Sequence, residues 1–497
     1  MNSNNNIAKG AIISYISIFL NIIISFIYTP WMIRQIGVSD YGLYSLITSF
    51  VSYFLLDFGL DSAITRFIAK YRAEGDERKV ENMLGLTTKV YLLIDAIIFF
   101  ALIVLFFHIS GIFKGLTPEE IEKMKLLYCI AGGFSVLNFV LKPMSGAMMA
   151  FEMFVENKLL DMVTRVGTVF LIVVALIFSA NVYWLVLING ATAFCVSLTK
   201  YFVLVKKTGL KINWYFWNRT EVKLLFSFSV WVFLISLAQR FRLSLVNTIL
   251  GIFANSREIA IFAIGMMIEG LIWNFSSALN GLFLPKVSRM KQTDNKEAIM
   301  KLMIKVGRIQ LFIISFLFSG FVVFGRQFIS LWVGSEFGKV YLVVIFLTIT
   351  NIVSLTQHIA SDVVYAEGKV NYTGKAIFLT SIIGLAGSCF LARDWGAIGC
   401  AACSGLGLLF YVVWVNFFYK NDLGIDVCRF FRECHGKILP FLSLFAVIAF
   451  VVTNNIIINS WMILLLIVGI YCMLFWFVSY AIMNNEEKNM VQRFIKK

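Results

Sequence analysis

Nine side chains able to carry charge chemistry stand inside or at the edge of stretches otherwise made of Phe, Leu, Ile and Val. Arg240 and Arg242, in FLISLAQRFRLSLVNTIL, and Lys142, beside Pro143, are cations that would attract an anion in a hydrated cavity. Arg34 would do the same or rest among outer headgroups. Asp57, Asp61, Glu269 and the pair His358 and Asp362 are the groups that could balance those cations, hold a coupling ion or carry a proton. At 100° per residue Arg240 and Arg242 point about 200° apart, so a straight helix aims only one of them into a given cavity, and the other can pair with an acid such as Glu269. Asp57 and Asp61 share a face, whereas Arg66 lies on the opposite side and reads as a headgroup anchor.

Each candidate also has a plain structural reading. Lys142 can snorkel to the cytoplasmic headgroups on its long stem. His358 and Asp362, one turn apart, can simply share a hydrogen bond. Asp161 and Arg165 have the favourable acid-before-base helical spacing and read as a structural ion pair. Asp95, His108, Glu152 and Glu367 fall near span ends and default to interfacial roles. The eight cysteines include a CxxC at Cys400 and Cys403, but it lies in an apolar helix without a second pair, which argues against metal; Cys428, Cys434 and His435 are little better. No disulfide framework is expected.

What must position these residues is a membrane. The 497 residues are 60% hydrophobic and 14% charged, with a mean hydropathy of +0.84, values that exclude an ordinary soluble globule. A buried charge costs at least about 2.5–3.5 kcal/mol at the bilayer centre, so intramembrane ions should face a cavity or each other. Apolar blocks of about 20 residues, the length that crosses ~30 Å of hydrocarbon, recur fourteen times, beginning near residues 10, 41, 84, 125, 159, 183, 222, 257, 300, 339, 372, 397, 438 and 460. The first block is too long for a signal-peptide core and is expected to remain as span one. The fold class is therefore all-α and polytopic.

Of the 43 Lys and Arg residues, 31 fall on one side of the alternating spans and 8 on the other, with Lys142, Arg165, Arg240 and Arg242 inside or at the edge of spans. The inside-positive bias places both termini in the cytoplasm, and it accounts for the net charge of +15 without nucleic acid. The first twelve spans also look duplicated. SDYGLYSLITSFVSYFLLDFGLDSAITRFIAKYRAEGDERKV has its counterpart about 218 residues on, and MMAFEMFVEN matches VVYAEGKVNY at an offset of 215, pairing Glu152 with Glu367 and placing Gln357 and His358 opposite Lys142 and Pro143. Six spans per copy is an even number, so the copies point the same way. The expected lobes are 1–205 and 222–420, joined by a cytoplasmic loop at 206–221, followed by a loop at 421–437 and two further spans in 438–497.

IRQIGVSDYGLYSLITSFVSYFLLDFGLDSAITRFIAKY, residues 33–71, resembles the span-one to span-two signature of bacterial polysaccharide repeat-unit flippases of the Wzx type. These belong to the multidrug/oligosaccharidyl-lipid/polysaccharide (MOP) exporter superfamily, with the multidrug extruders and lipid II flippases. The resemblance implies a two-lobed alternating-access protein in the bacterial cytoplasmic membrane. Its cargo would be an undecaprenyl-pyrophosphate-linked oligosaccharide for O-antigen, capsule or other surface polysaccharide, and its partners membrane lipids, a polymerase and chain-length proteins. It implies no cofactor beyond H+ or Na+ as a coupling ion. A lipid II flippase is the nearest chemical rival, and a multidrug or cation antiporter would favour acids over bases in its cavity. A polysaccharide polymerase or ligase would need a larger extramembrane loop than any present, and no phosphate-binding loop marks direct use of ATP.

Overall fold

The computed structural model describes residues 24–54, 60–178, 181–210, 212–223, 225–226, 233, 237, 244–277, 283–292, 295–456 and 458–495. Among them there is no β-strand, and ten helices are long and apolar enough to cross a bilayer. The all-α polytopic class read from hydropathy is the class observed. The chain forms two compact units, Met1–Ala260 and Ile261–Lys497. That division falls within a helix, whereas the sequence repeat changes over at 206–221.

In the first unit, helix α1 (24–36) turns at Gly37 (φ 87°) into α2 (Val38–Phe54). Then come α3 (Leu60–Ala73), α4 (Glu77–Ile112), α5 (Pro118–Phe139), α6 (Pro143–Ala150), α7 (Phe154–Ile177), α8 (Val182–Thr208) and α9 (Leu245–Phe253). Their ends follow local chemistry. Asp76 caps α4 by accepting from Lys79 N at 2.9 Å. TPEE at 117–120 is a capping box: Thr117 and Glu120 each accept from the other's backbone N–H, and Pro118 sits where no N–H is needed. Gly209, at φ 69°, closes α8 in the left-handed conformation that a side chain would strain. The 36 residues of α4 make about 54 Å of helix, so its basic first turns extend beyond the hydrocarbon.

α10 (Ser256–Ser276) leads into the second unit, which continues with α11 (Leu284–Gln292), α12 (Lys296–Trp332), α13 (Val340–Ile349), α14 (Asn351–Thr356), α15 (His358–Ala366) and α16 (Val370–Asn421). A short α17 (Val427–Phe430) runs through a π turn into α18 (Gly436–Asn454), followed by α19 (Trp461–Ile482) and α20 (Asn485–Ile495). The spans expected near 372 and 397 form one helical run, α16, reversed at Gly396 by a backbone of φ 53°, ψ −135° that only glycine adopts easily. The acidic N-terminal turn of α20 is held down by a buried bidentate ion pair, Arg308 Nε and Nη2 donating to Glu487 at 2.5 and 2.9 Å.

One expectation fails. Asp161 does not pair with Arg165; it accepts from Lys200 Nζ of α8 at 2.6 Å, while Arg165 is exposed. Helix-on-helix packing brings the α8 lysine closer than the i+4 arginine on the outward side of α7.

Candidate functional site

The candidates are best located by where the spans break. Pro143 has no N–H to donate, so the α5 ladder cannot run through it. The chain instead makes tight turns, Leu141 N to Asn138 O at 3.1 Å and Lys142 N to Phe139 O at 3.2 Å, before α6 starts. Lys142 thus sits at a hinge between helical segments, its ammonium 5.5 Å from the centroid of the Phe139 ring. After α6 the chain turns at Glu152, whose φ of 58° is the one positive value among described non-glycine residues.

The second unit repeats this layout 215 residues later without a proline. α14 ends at Thr356, Gln357 takes non-helical angles (φ −95°, ψ 16°), and α15 starts at His358. That segment ends at Glu367, followed by Gly368 at φ 69°. Broken helices at matching positions in the two copies are the arrangement that opens backbone carbonyls at membrane depth.

The breaks are braced alike. In the first unit α3 crosses α6 so closely that a Cβ on Gly146 would lie 2.5 Å from Asp61 Oδ1, and Thr65 Oγ1 donates to Gly146 O at 3.1 Å. Asp61 therefore packs, half-buried, at the crossing of α3 and α6. Arg72, at the end of α3, donates to Ala150 O at 3.1 Å and lies over the Phe151 ring. In the second unit α11 packs on α15, and Lys291, at the end of α11, reaches Glu367 at 2.7 Å, with Lys369 on the other oxygen at 2.8 Å. Burial would raise the Glu367 pKa, but hydrogen bonds and charge from these two lysines outweigh it and hold the carboxyl below its usual range.

Within the second unit, Asp362 is buried at 3% exposure; its Oδ1 is 3.6 Å from His358 Nε2, and its Oδ2 has no hydrogen-bond partner among the described residues. Neighbouring polar side chains are well paired. Gln357 and Asn416 exchange hydrogen bonds at 2.7 and 3.1 Å, and Ser361 meets the Tyr419 hydroxyl at 3.3 Å. Glu269 is buried and accepts from Asn351 Nδ2 at 2.6 Å. A search for charge misses Asn351, Asn416 and Tyr419, since a neutral polar group in a span carries a weaker signal. A lone Asn in an apolar helix is the clue that could have found the first two.

Arg34 is exposed near the end of α1, and Arg66 is exposed on α3. Arg240, Arg242 and Asp57 lie outside the described residues. Cys400 and Cys403 are both buried free thiols within α16.

This architecture has known counterparts. The chain aligns with a structure of the lipid II flippase MurJ in an inward closed conformation at a TM-score of 0.76, 12% identity, covering 95% of this chain and 98% of that one. An inward-facing multidrug resistance MATE family transporter of the MOP superfamily aligns at 0.65 and 13% identity, over 78% and 95% of the two chains. A MOP superfamily transporter from Pyrococcus furiosus aligns at 0.52 and 13%, over 86% and 94%. At these identities the likeness is one of fold. No curated protein sequence matches the chain. The family described as "Polysaccharide biosynthesis protein" matches residues 7–291, more than half of the chain. As the stretch at 33–71 leads one to expect, the chain belongs to the polysaccharide biosynthesis protein family, on the fold of the MOP superfamily.

Proposed function

We propose that this protein is a flippase that carries undecaprenyl-pyrophosphate-linked oligosaccharide repeat units from the inner to the outer leaflet of the bacterial cytoplasmic membrane by alternating access. The observation that carries this reading is the family match over residues 7–291, which sets the polysaccharide context on a fold shared with a lipid II flippase. No bond need be made or broken. The task is to pass a pyrophosphate and its sugars through a hydrated path while the polyprenyl chain stays in hydrocarbon.

Residues follow from that task. Lys142, at a helix break, and Arg240 and Arg242 are the cations assigned to the pyrophosphate, with Arg34 assigned to the outer surface. Asp57, Asp61, Glu269 and the His358–Asp362 pair are the titratable groups through which an H+ or Na+ gradient would bias the two states, since a ligand shifts a conformational equilibrium only by binding its states unequally. A polymerase and chain-length proteins would take the cargo outside.

The test is complementation of a strain lacking its polysaccharide flippase. Restored surface polysaccharide is expected from the wild type, and loss from Arg240→Ala or Arg242→Ala at normal protein level. Rescue of a lipid II flippase mutant or export of organic cations, without polysaccharide, would reassign the substrate. Full activity of both single variants and the double would remove the arginines from the site.

A further inference from the structure

Within the first unit, one face of α2 is closed against segments that the sequence duplication assigns to the second copy. The face is Ser39, Gly42, Leu46, Ser49 and Tyr53, whose alternating steps of three and four residues keep them on one stripe of the helix. Its partners run the opposite way along α9 and into α10. The Tyr53 hydroxyl donates to Ser244 O at 2.7 Å and meets the Thr248 hydroxyl at 2.9 Å, and Asn247 Nδ2 donates to Ser49 Oγ at 2.8 Å. Nearer the 113–117 turn the contact is made through glycine. A Cβ on Gly42 would lie 2.0 Å from Ser256 O, one on Gly115 2.4 Å from Ala254 O, and one on Gly251 3.0 Å from side-chain carbons of Leu46 and Phe113.

That end is the one the inside-positive bias places outside, and there a single carboxylate joins the two copies. Glu120 Oε1 accepts from Ser39 of α2 and from the buried Ser256 of α10, both at 2.5 Å, while its Oε2 stays on Thr117 N in the capping box. Lys123, within a turn of Glu120, is bound to Asp40 at 2.7 Å, so α2 and α5 make one mount for the carboxylate and Ser256 is the donor from the second copy.

The make-up of the seam suits parting. Small residues let helices approach closely without interlocking side chains. The hydroxyls and the amide that meet across it are groups water serves nearly as well, so exchanging one partner for the other costs little. Asn247 Oδ1 has no partner among the described residues even with the seam closed. Alternating access requires a seam of this kind, dry in one state and wetted in the other, between the copies on the outer side.

We propose that the α2 seam is the outer gate of the transporter, latched by Glu120 through Ser256, and that Ser49, Tyr53, Asn247 and Thr248 become walls of the exit path when it parts. This rests on the alternating-access reading above and assigns it a gate and a latch.

Two measurements on the full-length protein test it. Ser49→Cys is exposed to a bulky membrane-impermeant maleimide added only from outside the cell, with the label at residue 49 read by mass spectrometry. Slow labelling is expected, and adding Ser256→Ala or Glu120→Ala should speed it about fivefold by raising the open fraction. Ser256→Ala leaves the capping box whole, so its effect reports the latch alone. In the second measurement, Ser39→Cys/Ser256→Cys is oxidised in the complementation strain; surface polysaccharide should be lost and should return on reduction. Labelling at residue 49 that neither substitution changes, or full transport with the disulfide formed, would overturn the gate. Latch-dependent labelling in a protein that fails to complement would leave the gate standing and remove the repeat-unit reading; complementation that persists with the disulfide formed would do the reverse.

Discussion

At the scale of single residues, position in the fold separates groups that look alike in the sequence. Asp161 spends its charge on Lys200, and Glu269 accepts from Asn351, whereas Asp362 keeps one buried oxygen unpaired among the described residues. An unsatisfied carboxylate at that burial costs several kcal/mol unless a proton or cation joins it, which makes Asp362 the group to test for coupling. In proteoliposomes, Asp362→Asn should leave binding intact and remove the response of transport to an imposed pH gradient. Unchanged gradient dependence would return the His358–Asp362 pair to a structural role. Gly146 tests the other acid. A side chain there must push Asp61 and the α3 backbone apart, so Gly146→Val should cost about 1–3 kcal/mol and lower the thermal midpoint in detergent, while the same change at Gly133 should be nearly neutral.

At the scale of elements, two broken helices are each held by a basic residue from the helix that crosses them. Arg72 does so through a backbone carbonyl, Lys291 through Glu367. Because the Glu367 carboxyl is held below its ordinary pKa in the folded protein, its contribution is fully present above the unfolded value of about 4.3 and is lost as pH falls through the folded value. Glu367→Gln should therefore destabilise by about 1–2 kcal/mol at pH 7, with the difference from wild type shrinking as pH falls from the unfolded value through the lower folded one. Melting curves of both proteins across that range check it. A constant difference at all pH values would mean the glutamate acts by packing alone.

At the scale of the whole molecule, the alternating-access reading requires a definite orientation. Fluorescent-protein fusions after residue 495 and periplasmic phosphatase fusions in the 113–117 turn should both be active if the termini are cytoplasmic. The reversed pattern would invert the sidedness of every candidate, including the outer placement of the α2 seam.

Hydropathy is enough to read the all-α polytopic class, because apolar blocks of span length are a one-dimensional pattern imposed by a bilayer of fixed thickness, and the 215-residue offset matches the helix break at Gln357 to that at Lys142. The stretch at 33–71 is enough for the superfamily. The break at Lys142–Pro143 is also legible, since proline cannot donate. Its partner at Gln357 is flagged only by the repeat, because no local residue there forbids a helix and packing alone makes the turn. Which acid meets which base is decided by tertiary structure: Lys200 takes Asp161 from Arg165 because helices bring together residues 39 apart more closely than the outward face brings those four apart. The seam along α2 has the same origin. A glycine in a span reads equally as a packing surface or as an opening, and only the neighbouring chain, by filling the space at Gly42 and leaving it unfilled at Gly133, decides between them.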